Sequence, residues 1–331
     1  MRFAVDGWDP GYGTSLEIDG SAETVRDVRT DIEVAAARWA PVSARVLPLP
    51  TATVFVDGVR RIDARLWIDE PDHDHPERPA TEASPALCAS YAAGAVCCCA
   101  GEGAHFLAAQ IRRGLFTISP EATEVRTWAG SYAVHPAVFR ESQGLALSLS
   151  AALQHRLTEL ELLVAVEARD QLGAHGPGTG DELLVVDGPV RGRAHLSRVL
   201  GVIKSHQTSY LPPELHRMVA NLGPRDRTPV FLLDTVWDRY TWYLRLPGPA
   251  GQPWAGVVRV ECGSTIGVAE VVALANLSQA VLPRYASEEF KDTRAPQNLY
   301  PVAGLERELR RRLGHPALLY RALRQAAHTP R

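Results

Sequence analysis

The order of hydrophobic and polar positions divides the chain into predicted strands and helices. Residues 53–69 alternate after an apolar start, which predicts a half-buried strand, and residues 151–172, without glycine or proline, predict a long helix. We predict further strands at 87–99, around 113–118, at 183–186, 229–235, 241–247 and 254–263, further helices at 21–39, 267–284 and 304–326, and a short helix, a strand and a loop in 195–214. This order predicts an α/β protein, a mixed sheet flanked by helices, without a clear linker.

Composition limits the class of protein. The 331 residues are 46% hydrophobic and 22% charged, as in globular proteins, and no apolar run approaches the roughly 20 residues that cross a bilayer. The N-terminus "MRFAVDGWDP" has no apolar core typical of a secretory signal. We therefore expect a cytoplasmic protein with no membrane contact.

The five cysteines fit that expectation, because three of them are consecutive, Cys97 to Cys99, and no CxxC pair occurs. Neighbouring residues of a strand point to opposite faces, so these three are not expected to chelate one metal together. The sequence favours small buried thiols in a reducing compartment.

Charge gives one clue. The net charge is −3, so the protein as a whole has no positive field that would attract nucleic acid. Only two of the 35 basic residues are lysines, Lys204 and Lys291. A lysine in this arginine-rich chain is unexpected, so Lys204, which follows an apolar strand, is a candidate for a specific role.

Two similar phrases carry the candidate chemistry. "VFVDG" and "LVVDG" place Asp57 and Asp187 directly after short apolar strands. Carboxylates at such positions on adjacent strands can converge on Mg²⁺ or Mn²⁺, which prefer oxygen ligands. The alternative for each is an ordinary Asp-Gly turn, as at Asp6. A third carboxylate is expected from the preceding helix; the pattern does not separate Glu159 from Glu161, and we prefer Glu161.

These motifs resemble a known family. "VFVDGVRR", a glutamate-bearing helix, "LLVVDGPV", "GVIKSH", "VVRVEC" and "NLYP" occur in the order found in the NurA nucleases, over roughly residues 50–310. The resemblance implies an N-terminal extension at 1–45 and a nuclease domain with a ribonuclease-H-like core at 46–331. It also implies that Asp57, Glu161 and Asp187 match the family's metal ligands.

What the resemblance implies about activity is specific. NurA nucleases are Mn²⁺-dependent enzymes with 5′-to-3′ exonuclease and single-strand endonuclease activity, and Mg²⁺ is the other candidate ion here. They form dimers that dock on a hexameric HerA-type ATPase, and together they resect DNA ends. Two ions about 3.5–4 Å apart can both activate water and stabilise the leaving oxygen, so no histidine or serine nucleophile is needed.

Other residues are assigned roles around this site. Lys204 would place an ammonium against a phosphate, and Tyr300 matches a tyrosine of the family. A histidine commonly follows that tyrosine about two helical turns later; here Glu308 or His315 takes its place, or the group is missing. Five arginines are expected to contact DNA: Arg60, Arg61, Arg191, Arg193 and Arg198. The missing histidine leaves an alternative function, a catalytically weak or inactive docking subunit for a DNA-translocating ATPase. The histidine-rich "DHDHPE" loop (His73, His75) is expected to be solvated.

Overall fold

The computed structural model describes most of the chain: residues 1, 3–5, 27–72, 80, 82–142, 144–175, 180–204, 209–234, 237–248, 254–288, 290–291 and 295–328. Asp6, His73 and His75 lie outside these residues. The strands are β1 (Phe3–Val5), β2 (Asp27–Arg29), β3 (Ala52–Glu70), β4 (Glu82–Cys99), β5 (Gly103–Thr117), β6 (Val125–Thr127), β7 (Gly130–Pro136), β8 (Leu183–Asp187), β9 (Val199–Ile203), β10 (Phe231–Asp234), β11 (Arg239–Arg245) and β12 (Val257–Gly263). The helices are α1 (Leu145–His175), α2 (Pro213–Ala220), α3 (Val268–Val281), α4 (Tyr300–Arg312) and α5 (Pro316–His328), with 3₁₀ turns at Ala36–Arg38 and Leu282–Tyr285.

One mixed sheet organises the fold, which confirms the predicted α/β class. The described strands follow the order β2-β10-β11-β12-β9-β8-β3-β4-β5-β7-β6, and β1 pairs with β3. At its centre β3, β4 and β5 form a long antiparallel meander. Strand β8 then lies parallel to β3, and β9 lies parallel to β8. The N-terminal strands β1 and β2 therefore join the same sheet as the rest of the chain.

Helices pack against both faces of the sheet. On one face α1 packs over β3, β4 and β5, where its Leu153 and Leu157 join Val54 and Val56 in one core. On the other face α3 and α4 cover Phe55 and Val59 in a second core. Residues of β3 alternate between these two cores. The first part of β3 is consequently buried on both faces, whereas the sequence predicts a half-buried strand.

Several predicted boundaries are wrong for identifiable reasons. The helix predicted at 21–39 is absent from its described part, residues 27–39, which holds β2 and a 3₁₀ turn. There the Glu33 carboxylate accepts hydrogen bonds from the buried Arg227 guanidinium at 2.8 and 2.9 Å, a contact between segments nearly 200 residues apart. The helix predicted at 304–326 is two helices, because Gly314 adopts φ 86° and Pro316 begins α5.

Two other differences concern strands. Strand β5 begins at Gly103, ten residues before the predicted start, because it pairs with β4 along almost its whole length. The short helix expected near residue 195 is a series of turns that leads into β9. None of the helices in the described part of the chain is both long and apolar enough to cross a membrane.

Candidate metal centre

Two aspartates from neighbouring parallel strands meet on the α4 face of the sheet. The register pairs Val56 with Val186, so the next residue of each strand, Asp57 and Asp187, projects to the same side. Helix α4 supplies a third carboxylate, Glu306. One oxygen from each of these three residues lies within 4.8 Å of the other two. We call Asp57, Asp187 and Glu306 the acidic cluster.

The environment of Asp57 disfavours its negative charge. Asp57 is only 7% exposed, and no described group donates a hydrogen bond to its Oδ2 atom. Burial raises the pKa of Asp57 well above the ordinary value, and the charges of Asp187 and Glu161 raise it further, against the opposing effect of Lys204. A bound cation would take the place of the hydrogen-bond donor that this buried oxygen lacks.

Lys204 fixes the second aspartate. It follows β9, and its ammonium donates to Asp187 Oδ2 at 2.6 Å and to Asn298 Oδ1 at 2.8 Å. Gln297 holds the same segment from the other side, because its amide donates to the Lys204 carbonyl at 3.3 Å. Lys204 thus belongs to the site, and its observed partners are a carboxylate and a buried amide.

Sequence reasoning missed Asn298 and Glu306. Asn298 stands in the "NLYP" motif, and its complete burial is the sign that its amide has a structural task. Glu306 lies on the buried stripe of α4, between Val302, Leu305 and Leu309, whose 3–4 spacing marks the face toward the sheet. A glutamate on such a stripe was a detectable signal in the sequence.

Glu161 is placed differently from the prediction and does not join the acidic cluster. Helix α1 lies on the opposite face of the sheet, where the Glu161 carboxylate packs against Gly58; a Cβ at that glycine would be 2.5 Å from Glu161 Oε1. Its partner there is the buried Arg193 guanidinium. Burial raises the pKa of Glu161 to about 7 despite Arg193, and Asp187 adds to the rise.

Glu159, the other glutamate considered for this role, is a surface residue. Its carboxylate contacts Arg156 at 2.8 Å and His155 at 3.3 Å on the same helix, and its side chain is 45% exposed. Of the two, only Glu161 is close enough to act on the charges of Asp57 and Asp187.

The five arginines expected to contact DNA have different surroundings. Arg193 pairs with Glu161, and Arg61 donates to Asp63 at 2.9 Å and to the Gly314 carbonyl at 2.8 Å, so both guanidinium groups serve the fold. Arg60 is half-buried near Glu161. Arg191 is exposed, and Arg198 is half-buried with a φ of 47°, both in the loop between Asp187 and β9.

The C-terminal part of the predicted site is also rearranged. Tyr300 begins α4 and is half-buried, with the Lys291 ammonium 5.3 Å from its ring centre. Glu306 lies six residues further on, about 9 Å along the helix axis. Glu308 instead bonds Arg311 and Arg312, which lowers its pKa to about 2, and His315 is exposed beyond the end of α4. Neither candidate substitute for the histidine lies in the acidic cluster; Glu306 does.

The acidic cluster fits a hard divalent cation. It offers only carboxylate oxygens, the ligands that Mg²⁺ and Mn²⁺ prefer over thiols. Two oxygens on opposite sides of a Mg²⁺ would lie about 4.2 Å apart, and the three carboxylate oxygens, which all lie within 4.8 Å of one another, are compatible with binding to one ion. Comparison with known proteins gives no match for this chain, either to a family model or to an individual curated protein.

Proposed function

We propose that this protein is a metal-dependent DNA nuclease of the NurA type, built on a ribonuclease-H-like core. One observation carries the proposal: Asp57, Asp187 and Glu306 converge from three separate elements, and the buried Oδ2 of Asp57 has no hydrogen-bond donor among the described residues. A fold gains no stability from such an arrangement without a cation, so its presence argues for a bound ion.

The strand order supports the ribonuclease-H-like part of the proposal. Three antiparallel strands in chain order, β3, β4 and β5, are followed by helix α1 and then by β8 and β9, which run parallel to β3. This arrangement is the one expected of a ribonuclease-H-like core. It also brings the end of β8 beside the first third of β3, where Asp187 and Asp57 meet.

The residues of the site have distinct tasks in the proposed reaction. Asp57, Asp187 and Glu306 would hold Mn²⁺ or Mg²⁺, which when bound stabilises charge on phosphate oxygens and activates water. Lys204 orients Asp187 and keeps a positive charge on the substrate side of the cluster, where a phosphate can approach. Asn298 keeps the lysine in place.

The biological setting follows from the motif resemblance alone. We propose that the protein works as a homodimer with a HerA-type hexameric ATPase, and that it acts on single-stranded DNA or duplex ends during end resection. Exonuclease activity in the 5′-to-3′ direction and single-strand endonuclease activity belong to the same proposal, as does action in the cytoplasm.

A second function is favoured by one observation. Glu161, the residue that the resemblance assigns as a ligand, is engaged by Arg193 on the far face of the sheet. With one expected ligand committed elsewhere, the protein would be a catalytically weak or inactive docking subunit for the ATPase. Such a subunit could still bind a metal ion through the acidic cluster.

The decisive experiment is cleavage of end-labelled single-stranded DNA with Mn²⁺, Mg²⁺ or chelator. We expect Mn²⁺-dependent products from the wild type, and a loss of at least about 100-fold for Asp57→Asn and Glu306→Gln, because each removes a charge that holds the ion. Glu308→Gln is the matched control on the same helix, since Glu308 faces Arg311 and Arg312, and its activity should stay at the wild-type level.

Three outcomes separate the alternatives. Loss in Asp57→Asn but not in Glu308→Gln supports the nuclease. Saturable Mn²⁺ binding without cleavage, alone or with the ATPase, supports the docking subunit. Cleavage that survives both Asp57→Asn and Glu306→Gln would refute the assignment of the acidic cluster as the catalytic centre.

A further inference from the structure

The tip of the β4–β5 hairpin brings two thiols and an imidazole together, away from the acidic cluster. Cys97 and Cys99 are two residues apart on β4, so both point to the same face. His105 on β5 stands directly opposite Cys97 in the register. One ligand atom from each of these residues lies within 4.8 Å of the other two.

We propose that Cys97, Cys99 and His105 bind a thiophilic metal ion of the Zn²⁺ class. Two sulfurs and one imidazole nitrogen are the donors that zinc prefers, whereas Mn²⁺ and Mg²⁺ select oxygen. In a tetrahedral zinc site with Zn–S bonds of about 2.3 Å, two thiolate sulfurs lie roughly 3.8 Å apart, which is compatible with ligand atoms that all lie within 4.8 Å of one another. The ligand pattern is C-x-C-x₅-H within one hairpin.

The groups around these ligands are arranged as a metal site requires. His105 Nδ1 is 3.3 Å from the Gly103 carbonyl, which can only accept; in the tautomer with the proton on Nδ1, Nε2 would be left to bind a metal. The Glu102 backbone N–H donates to Cys99 Sγ at 3.4 Å, a contact that stabilises negative charge on sulfur. The contacts come from Glu102 in the turn that joins the two strands and from Gly103, the first residue of β5.

A fourth ligand is close at hand. The Glu102 carboxylate lies 3.6 Å from His105 Nε2, the nitrogen assigned to the metal, and its side chain is 76% exposed. It can therefore move to the ion, or leave the fourth position to water. Cys97 is buried while Cys99 and His105 are half-buried, so the ion would enter from the solvent side.

The proposed site is independent of the acidic cluster. Cys97 pairs with Val54 and Asp57 pairs with Gly94, so the two sites are three residues apart along the sheet, about 10 Å. They also occupy opposite faces: Val54 belongs to the core under α1, whereas the acidic cluster lies under α4.

A disulfide explains the geometry less well. Residues i and i+2 of one strand have Cα atoms about 6.6 Å apart, at the upper limit for a disulfide. A disulfide between Cys97 and Cys99 would also not account for the position of His105 beside the two sulfurs or of Glu102 beside His105. The metal uses all of these groups at once.

The test is titration of the full-length, untagged, reduced and metal-stripped chain with Co²⁺, followed by Zn²⁺ competition. We expect one equivalent of Co²⁺ to produce thiolate-to-cobalt charge-transfer absorption and the intense visible bands of a tetrahedral ion, and Zn²⁺ to displace it. Cys99→Ser and His105→Gln should each weaken binding by about 100-fold or more, since even lost supporting contacts cost 10–100-fold. Both residues are only half-buried, so these variants should fold, which circular dichroism checks.

Two controls make the result specific. Cys98→Ser alters the cysteine between the two ligands, which points to the other face toward Tyr285, and should leave the cobalt spectrum unchanged. Asp57→Asn should also leave it unchanged. Absence of charge-transfer absorption, or its persistence in both Cys99→Ser and His105→Gln, would overturn the proposal, as would a Cys97–Cys99 disulfide that survives reduction.

Discussion

Asp57 and Asp63 are buried aspartates on the same strand, and their surroundings are opposite. Asp63 accepts hydrogen bonds from Arg61, Ser90 and Tyr132, so its charge is neutralised and its oxygens are bonded. The Oδ2 atom of Asp57 has no donor among the described residues, and Asp57 faces other carboxylates. A buried charge without compensation lowers stability until a proton or a cation neutralises it.

This contrast predicts opposite effects for one chemical change. In chelator at neutral pH, Asp57→Asn should raise the free energy of unfolding by about 1–3 kcal/mol, because it removes an unsatisfied buried charge. Asp63→Asn should lower it by about 3 kcal/mol, because Arg61 loses its buried partner. Chemical denaturation of the three proteins measures both values. A loss of stability in Asp57→Asn would mean that the metal-free site is already neutralised.

The raised pKa of Asp57 predicts that the stability of the fold depends on pH. The folded-state pKa of Asp57 is raised above its ordinary value by burial and by neighbouring carboxylates, so the folded protein holds the proton more tightly than the unfolded chain. The wild type therefore loses stability as pH rises above the ordinary carboxyl range, until the raised pKa is passed. The stability gain of Asp57→Asn over the wild type should be small near pH 4 and grow with pH.

Mn²⁺ should remove most or all of the stability advantage of Asp57→Asn over the wild type. An ion that binds only the folded state at 100 times its dissociation constant adds about 2.7 kcal/mol. The wild type should receive this gain and Asp57→Asn should not, as thermal denaturation with and without Mn²⁺ would show. An equal gain in both proteins would place the ion elsewhere.

At the scale of elements, the position of α4 depends on a glycine in the sheet. Gly94 pairs with Asp57 across β3 and β4, and a Cβ there would lie 2.9 Å from Leu305 Cδ1 and 3.0 Å from Leu309 Cδ2. The absence of a side chain therefore lets α4 approach the sheet closely. That approach brings Glu306 to the two aspartates.

Gly94→Ala should consequently damage the site through the helix. We expect the free energy of unfolding to fall by about 1–3 kcal/mol from overpacking, and Mn²⁺ affinity to fall as well, because α4 moves away with Glu306. Calorimetric titration with Mn²⁺ measures the second effect. Gly101→Ala, where an added Cβ meets nothing within 4 Å, is the matched control. Unchanged Mn²⁺ affinity in a destabilised Gly94→Ala would show that α4 is positioned by other contacts.

The sequence predicts those elements whose pattern is local. Local sequence alone is enough to recognise the alternation in β3, the run of α1 without glycine or proline, and the apolar "LLVVD" of β8. It is also enough to identify Asp57 and Asp187 as candidate metal ligands. The docking of α4 and the side on which α1 packs are set by contacts distant in the chain. For this reason the sequence did not place Glu306 beside the two aspartates, and it did not show that Glu161 lies outside the acidic cluster.

At the scale of the whole molecule, the overall charge does not favour non-specific DNA binding. The net charge is −3, and two of the five candidate arginines, Arg61 and Arg193, are bonded inside the fold. If the protein acts on DNA as proposed, the electrostatic attraction of the DNA backbone must come from a local surface. The loop between β8 and β9, with Arg191 and Arg198, leads directly from Asp187 and is the best-placed segment for it.

The salt dependence of DNA binding tests this distribution. For single strands, each phosphate neutralised by the protein contributes about 0.7 to the slope of log affinity against log salt, because counterions are released. Arg191→Gln and Arg198→Gln should each weaken binding of a single-stranded oligonucleotide in metal-free buffer and reduce the slope by about that amount. Arg38→Gln changes an exposed arginine that follows the edge strand β2, four strands away from β9, and should change neither quantity. Arg193→Gln should act differently, by lowering stability through the loss of the Glu161 partner rather than by changing the slope. If the slope were the same in the wild type and in both loop variants, DNA would approach the acidic cluster from another side.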